Sequence, residues 1–244
     1  MSSFYLMRER SRDSRAYYWF LGLLGAATAG YAGYVAYRRY GAGPRLPPGV
    51  VSLVAPVIHP GVAEEVLEKI EPMGQDEVTV LLHTFGGCVS SCVQIADALR
   101  KFRRSTAIVP YMAASGGTLI ALNATKLEMG RNASLTAVDP IIRGRRGKNL
   151  PDTEKWASSK ADAKDYENAI RTYLRQTLAA RLPGASDEKI VAAMDVFMGK
   201  NAPHEWPIRP AEVEALGIKV ASADVAWAGI VDQLREAQQQ DALY

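Results

Sequence analysis

Between Val50 and Ala124, short β-branched runs alternate with segments of helical period, and that alternation narrows the fold more than any other feature of the chain. The runs "VVSLVAPVI" and "EVTVLLH" suit buried strands, and "AEEVLEKI" between them carries apolar residues at helical spacing. Cys92, Ile95, Ala96, Leu99 and Phe102 then recur three and four apart, which predicts an amphipathic helix after "HTFGG". "STAIVP" follows as another strand, and a further helix opens at Ser115. Strand and helix taken in turn build a mainly parallel sheet with helices packed on it, so the fold class is α/β.

Downstream the pattern becomes helical. The stretch "IRGRRGKNLP", Ile142 to Pro151, is basic and lacks an apolar period, so a mobile surface loop is expected, with a lid over substrate as its functional version. A long helix is expected from Lys160 to Arg181. The next begins at Ser186, with Asp187 and Glu188 in its first turn. In "RPAEVEALG", Pro210 suits a first helical position and Gly217 a helix stop. The polar tail "QLREAQQQDALY" is expected to fray.

The amino-terminal part reads differently. Residues 1–15 form a polar tail, and residues 16–37, "AYYWFLGLLGAATAGYAGYVAY", carry no charge. At ~1.5 Å per residue a helix of that length covers the ~30 Å hydrocarbon core, and tyrosine and tryptophan at its two ends suit the headgroup level. One transmembrane helix is expected, uncleaved, because the apolar run is longer than a signal-peptide core. Gly22, Ala26 and Gly30 share one face of it, which permits close helix approach. Four arginines before the span and three after it give a slight preference for an outer, extracytoplasmic catalytic domain. Residues 38–49 read as a Gly/Pro linker, and residues 50–244 as one globular domain.

Composition excludes some roles. A formal charge of +3 over 244 residues, without basic runs interleaved with aromatics, argues against nucleic acid as a partner. Cys88 and Cys92, the only cysteines, stand four apart in a helical pattern, poorly placed for a disulfide and too few for structural zinc.

Two stretches carry possible chemistry. "LLHTFGG" ends a strand in Gly86 and Gly87 and leads into a helix, a context in which backbone N–H groups reach a ligand closely. "YMAASGG" repeats the arrangement with Ser115 at the turn. Side by side at the carboxyl edge of a parallel sheet, the two turns could supply a nucleophile and oxyanion donors. Taken alone, a serine among small residues is more often a packing point than a nucleophile.

The blocks "LLHTFGGCVSSCVQIADALRKF", "VPYMAASGGTLIALNATKLEMG", "SLTAVDPI" and "GKNAPHEWPIRPAEVEALGIKV" resemble, in order, those of the serine dehydrogenase proteinase family. That family is related to the Clp proteolytic subunit and to signal peptide peptidase A. The resemblance spans roughly Val50 to Val220. It implies a Clp/crotonase-type β-β-α spiral, a homo-oligomer, a peptide or protein substrate, and no metal or organic cofactor. It also implies that Ser115 is the nucleophile, that Gly116 and Gly87 are the oxyanion donors with Gly86 beside them, and that Asp139 and His204 complete the catalytic set. Asp139 then stands where the Clp subunit has its histidine, and Glu205 about where that subunit has its aspartate.

Other bases are weaker. His83 ends a strand and reads as a satisfied buried histidine, and His59 precedes a proline. Lys148, Lys155, Lys160 and Lys164 lie at roughly the interval of the signal peptide peptidase A lysine, with no motif to select one. Two departures from the family pattern bear on activity: Phe85 replaces the proline of a "TPGG" turn, and Thr136-Ala137 replaces the Gly-Pro of "LGPVDP". The reading is therefore a membrane-anchored, single-pass serine endopeptidase. Its rivals are a noncatalytic membrane scaffold of the same fold and a crotonase-type acyl-thioester enzyme.

Overall fold

Five strands run parallel in one sheet because each β-branched run is brought back to the same edge by a helical segment. In the computed structural model, which describes residues 45–142, 144–151, 153 and 157–241, these are β1 (Val50–Val54), β2 (Glu77–His83), β3 (Arg104–Val109), β5 (Lys126–Met129) and β9 (Val220–Ser222), in the order β1-β2-β3-β5-β9. Every neighbouring pair is parallel, with Val54 opposite His83 and Leu81 opposite Ile108.

Each long strand of the first three leads into a short extended segment before its helix starts. Ile58 bridges Gly87, Thr84 bridges Ala113, and β4 (Met112–Ala113) pairs with β6 (Ser134–Leu135), all in parallel. The helices that follow are α1 (Pro60–Ile70), α2 (Val89–Arg100) and α3 (Gly116–Asn123). Strand, short strand and helix thus repeat along the chain, and the second ladder sets the turns bearing Gly87 and Ser115 next to one another.

Both faces of the sheet are buried, and the two-residue period of the strands sorts the side chains between them. Val51, Leu53, Val80, Leu82 and Val109 join one large apolar cluster with residues of α1, α2 and α3. Val54, Leu81 and Ile108 point the other way and pack on Val231 and Trp227. Those two residues belong to α7 (Ala226–Asp241), which takes in, up to Asp241, the polar stretch expected to fray. Its register is pinned by Gln238, whose Nε2 donates to the Val54 carbonyl at 2.6 Å.

The remaining helices are α4 (Ala157–Arg181), α5 (Asp187–Phe197) and α6 (Pro210–Ala215). Ser186 caps α5, its Oγ accepting from the Lys189 N–H, and Pro210 opens α6 as expected. The basic stretch after Asp139 folds into an antiparallel hairpin of β7 (Ile141–Ile142) and β8 (Arg145–Arg146), then a 3₁₀ turn over Gly147–Asn149. This corrects the surface-loop expectation, because Arg146 points inward with a side chain 11% exposed.

Leu46–Tyr244 forms one compact unit. Among the described residues no helix is long and apolar enough to cross a membrane. The expected span, residues 16–37, lies outside the described residues, as do the tail before it and most of the linker after it.

Candidate active site

Ser115 is the residue on which α3 begins, and it holds φ 51°, ψ −116°. Among the described residues it is the one non-glycine with positive φ, a conformation costing on the order of 1–3 kcal/mol unless the surroundings enforce it. They do so from three sides. The Ala114 N–H donates to the Thr84 carbonyl at 2.9 Å, and the Ser115 N–H donates to Thr136 Oγ1 at 3.0 Å. On the helix side, the Gly117 N–H donates to the Ala114 carbonyl at 2.8 Å. The serine thus stands at the apex of a sharp strand-to-helix turn with its side chain toward a cavity of about 510 Å³.

The neighbouring turn must be glycine for steric reasons. A Cβ on Gly86 would lie 2.7 Å from Ser115 Cβ, and a Cβ on Gly87 would lie 2.1 Å from the Ile58 carbonyl oxygen. The Ile58–Gly87 bridge uses the Gly86 carbonyl and the Cys88 N–H, so the N–H of Gly87 between them points away from Ile58. Gly116 lies in the first turn of α3, where N–H groups have no intrahelical acceptor. Among the described residues neither N–H donates to another group. Both glycines line the Ser115 cavity. Beneath them Cys92 packs so tightly that a Cβ on Gly116 would meet its Sγ at 2.2 Å, in keeping with a packing role for that thiol.

Asp139 and His204, 65 positions apart, meet at the same cavity: His204 Nδ1 and Asp139 Oδ1 are 2.8 Å apart. The contact at Nδ1 leaves Nε2 as the ring nitrogen open to the cavity. Between Ser115 and His204 the side chains share the cavity without a mutual hydrogen bond. The other carboxylate oxygen, Oδ2, accepts from Arg146 Nε at 2.5 Å. Burial by itself would raise the Asp139 pKa, but the hydrogen bonds from His204 and Arg146 and the arginine charge outweigh it and hold the carboxyl below its ordinary value.

Arg146 does more than pair with Asp139. Its guanidinium also donates to the carbonyls of Ala202 at 2.5 Å and Gly199 at 2.8 Å, and so ties down the segment that carries His204. The fit depends on Gly199, where a Cβ would sit 2.6 Å from an Arg146 nitrogen. The sequence reading missed this residue. The only signal for it was its place in a basic stretch close behind Asp139.

The rival bases stand elsewhere. His59 precedes α1, and His83 meets the Tyr111 ring edge-on at 5.9 Å; neither lines the Ser115 cavity. Among the described residues the buried Nδ1 of His83 has no partner, which corrects the expectation of a satisfied histidine, and burial lowers its pKa. Lys148 donates to the Gly199 and Lys200 carbonyls at 3.0 and 3.3 Å, and neither it nor Lys160 nor Lys164 lines the cavity. Lys155 lies outside the described residues. Glu205 is exposed.

Both departures from the family pattern are used by the structure. The Phe85 N–H donates to the Pro56 carbonyl at 3.1 Å, a bond proline could not make, while the ring stands 63% exposed at the cavity. Thr136 supplies the hydroxyl that receives the Ser115 N–H.

The chain is thus an α/β protein with a mainly parallel sheet, and one cavity at its carboxyl edge brings together a serine on a constrained turn and an imidazole held by a carboxylate. More specifically, it belongs to the family of ClpP-like SDH-type serine proteinases, whose pattern matches residues 56–238. Membership suggests a serine protease. Two uncharacterized proteins of Methanocaldococcus jannaschii are similar, 32% identical over 170 residues and 29% over 173, each match covering 65% of this chain. The matches span only 58% and 57% of the length of those relatives. A ClpP1 point mutant from Listeria monocytogenes shares the fold at TM-score 0.51 and 17% identity, over 73% of this chain and 94% of the other. A mutant of the membrane-bound stomatin-specific protease 1510-N does so at TM-score 0.51 and 18% identity, over 72% and 79%.

Proposed function

We propose that the protein is a serine endopeptidase that hydrolyses peptide bonds through an acyl-enzyme at Ser115. The observation that carries this is the Asp139–His204 contact at 2.8 Å, opening on the same cavity as the Ser115 turn. In the proposed reaction His204 Nε2 takes the Ser115 hydroxyl proton as Oγ attacks the substrate carbonyl, and the N–H groups of Gly87 and Gly116 receive the oxyanion. Asp139 holds the ring by Nδ1 and stabilises the imidazolium. His204 then returns the proton to the leaving amine, and water attacks the ester by the same route. The Ser115–His204 hydrogen bond forms as substrate fills the cavity, as such bonds commonly tighten from a looser free-enzyme geometry.

The reading includes a homo-oligomer, held in the membrane by residues 16–37 with the catalytic domain on the outer side. Its support is the uncharged run and the arginine distribution around it. Reporter fusions at the carboxyl terminus active only in the cytoplasm would reverse the orientation.

A fluorophosphonate probe tests the chemistry. Ser115 of the full chain should be labelled, and Ser115→Ala should abolish labelling and peptide cleavage alike. Since residues acting as one unit are non-additive, His204→Ala with Asp139→Ala should cost little more than His204→Ala alone. Normal labelling of His204→Ala would move the base to one of the lysines. A folded protein that is neither labelled nor cleaves peptides would be the scaffold.

A further inference from the structure

At the opposite end of the sheet from Ser115, where β5 and β9 begin, lies a second and larger cleft of about 1010 Å³. It shares no lining residue with the Ser115 cavity. Among the described residues five cationic side chains line it, those of Arg100, Lys126, Arg181, Lys189 and Lys219, and no aspartate or glutamate does. Two of the five are already engaged. Lys126 pairs with Glu128 at 2.6 Å, and Arg100 stands 3.8 Å from Asp97 and over the Tyr173 ring.

The other three are not neutralised. Among the described residues the ammonium groups of Lys189 and Lys219 have no ion pair or hydrogen bond. That of Lys189 lies over Gly217, 2.9 Å from where a Cβ there would stand. Arg181 donates one N–H to the Thr125 carbonyl at 2.9 Å, while its Nε and its second terminal nitrogen are buried with no acceptor among the described residues. Burial also works against the charged form of this guanidinium. Buried donors without partners are costly and uncommon, and charged ones more so. An anion that draws the Arg181 fork toward the cleft would supply the missing acceptors.

From this geometry we infer that the cleft binds a phosphate-bearing small molecule, its phosphate held by Arg181, Lys189 and Lys219. The planar guanidinium fork matches two phosphate oxygens, and the two lysines act as point charges on the remainder. The volume exceeds what an inorganic ion fills, and Leu127, Leu182, Pro183 and Val220 offer an apolar wall for the rest of the molecule. The inference does not depend on the chemistry proposed for Ser115.

The test is a titration of the full chain, in detergent at constant ionic strength, followed by isothermal calorimetry and by melting temperature. Inorganic phosphate and glycerol 3-phosphate serve as probes, with sodium chloride as control. Saturable binding of both is expected, the ester more tightly, with no matching response to chloride. Lys189→Gln with Lys219→Gln should weaken phosphate at least about tenfold, as loss of charge-assisted bonds of ~1.5–3 kcal/mol requires. Both lysines are on the surface, so this variant should fold, and its Ser115 labelling should match the parent. Arg181→Gln should remove what binding remains. Absence of saturation with either probe, or unchanged affinity in the double lysine variant, would overturn the assignment. Tighter binding of inorganic phosphate than of the ester would restrict the site to a free ion and overturn the small-molecule part.

Discussion

Arg146 and His204 hold opposite oxygens of one carboxylate, the first through Nε to Asp139 Oδ2 at 2.5 Å and the second through Nδ1 to Oδ1 at 2.8 Å. All three side chains are 12% exposed or less, so the cluster is nearly dry. An imidazole fixed by a carboxylate is only as well placed as the carboxylate itself, and here the arginine fixes it.

Replacing Arg146 with methionine should therefore cost both stability and reactivity. Removing one partner of a buried ion pair is expected to destabilise by ~3–5 kcal/mol. Loss of the guanidinium should also raise the Asp139 pKa, moving the acid limb of probe labelling to higher pH. Arg146→Lys should recover part of the labelling, because one cation can still reach Oδ2. Denaturant melts and a labelling-rate profile against pH measure both effects. An unmoved acid limb in Arg146→Met would reduce the residue to a structural tie.

Thr136→Val should loosen the turn that carries Ser115. The Ser115 N–H would lose its acceptor, and leaving this part-buried donor unpaired should cost about 1 kcal/mol, the low end of the range for buried groups. The positive φ at Ser115 would then lack one of its restraints, so labelling should slow even at temperatures where the variant is folded. Thr136→Ser keeps the hydroxyl and should behave like the parent. Equal labelling rates for all three proteins would show that the turn holds without this bond.

Much of the scaffold was legible in the sequence because its causes are local. The β-branched runs and the three-and-four spacing after "HTFGG" predict β2, α2 and β3, and Ser186 and Pro210 mark their helices by capping chemistry. What stayed hidden depends on distant partners. The segment with Arg146 has no apolar period, and the carbonyls it serves lie more than 50 positions away. Helix α7 runs on to Asp241 because Trp227, Val231 and Leu234 cover Val54, Leu81 and Ile108, a face of the sheet no local pattern reveals. Phe85 and Thr136 depart from the family pattern, and their roles lie in hydrogen bonds to groups distant in sequence, the Pro56 carbonyl and the Ser115 N–H.

The two cysteines should separate sharply in reactivity. Cys88 is exposed at the Ser115 cavity, and hydrogen bonding from the Ser90 side chain and from Ser91 lowers its thiol to about 7. Cys92 is buried behind Gly116, and desolvation pushes its thiol up to about 12. Iodoacetamide should modify Cys88 first, at a rate rising through about pH 7 and levelling above it, because the thiolate is the nucleophile. Peptide mapping after short exposure would show this. Comparable modification of Cys92 in the folded protein would mean that the packing under Gly116 opens readily.

The lowered pKa of Asp139 gives the last prediction a definite sign. Burial opposes ionisation, but hydrogen bonds from His204 and Arg146 and the arginine charge prevail, so the folded carboxyl titrates below its unfolded value of about 3.9. A depressed carboxyl contributes stability that is complete above the unfolded value and is lost as the pH falls through the folded one. The stability difference between the parent and Asp139→Asn should accordingly stay level between pH 7 and about pH 5 and shrink below about pH 4. Urea melts of both proteins across that range measure it. A difference that vanishes already between pH 7 and 5 would place the carboxyl above its ordinary value. Desolvation would then outweigh Arg146, and Asp139 could not serve as the standing anion that orients His204.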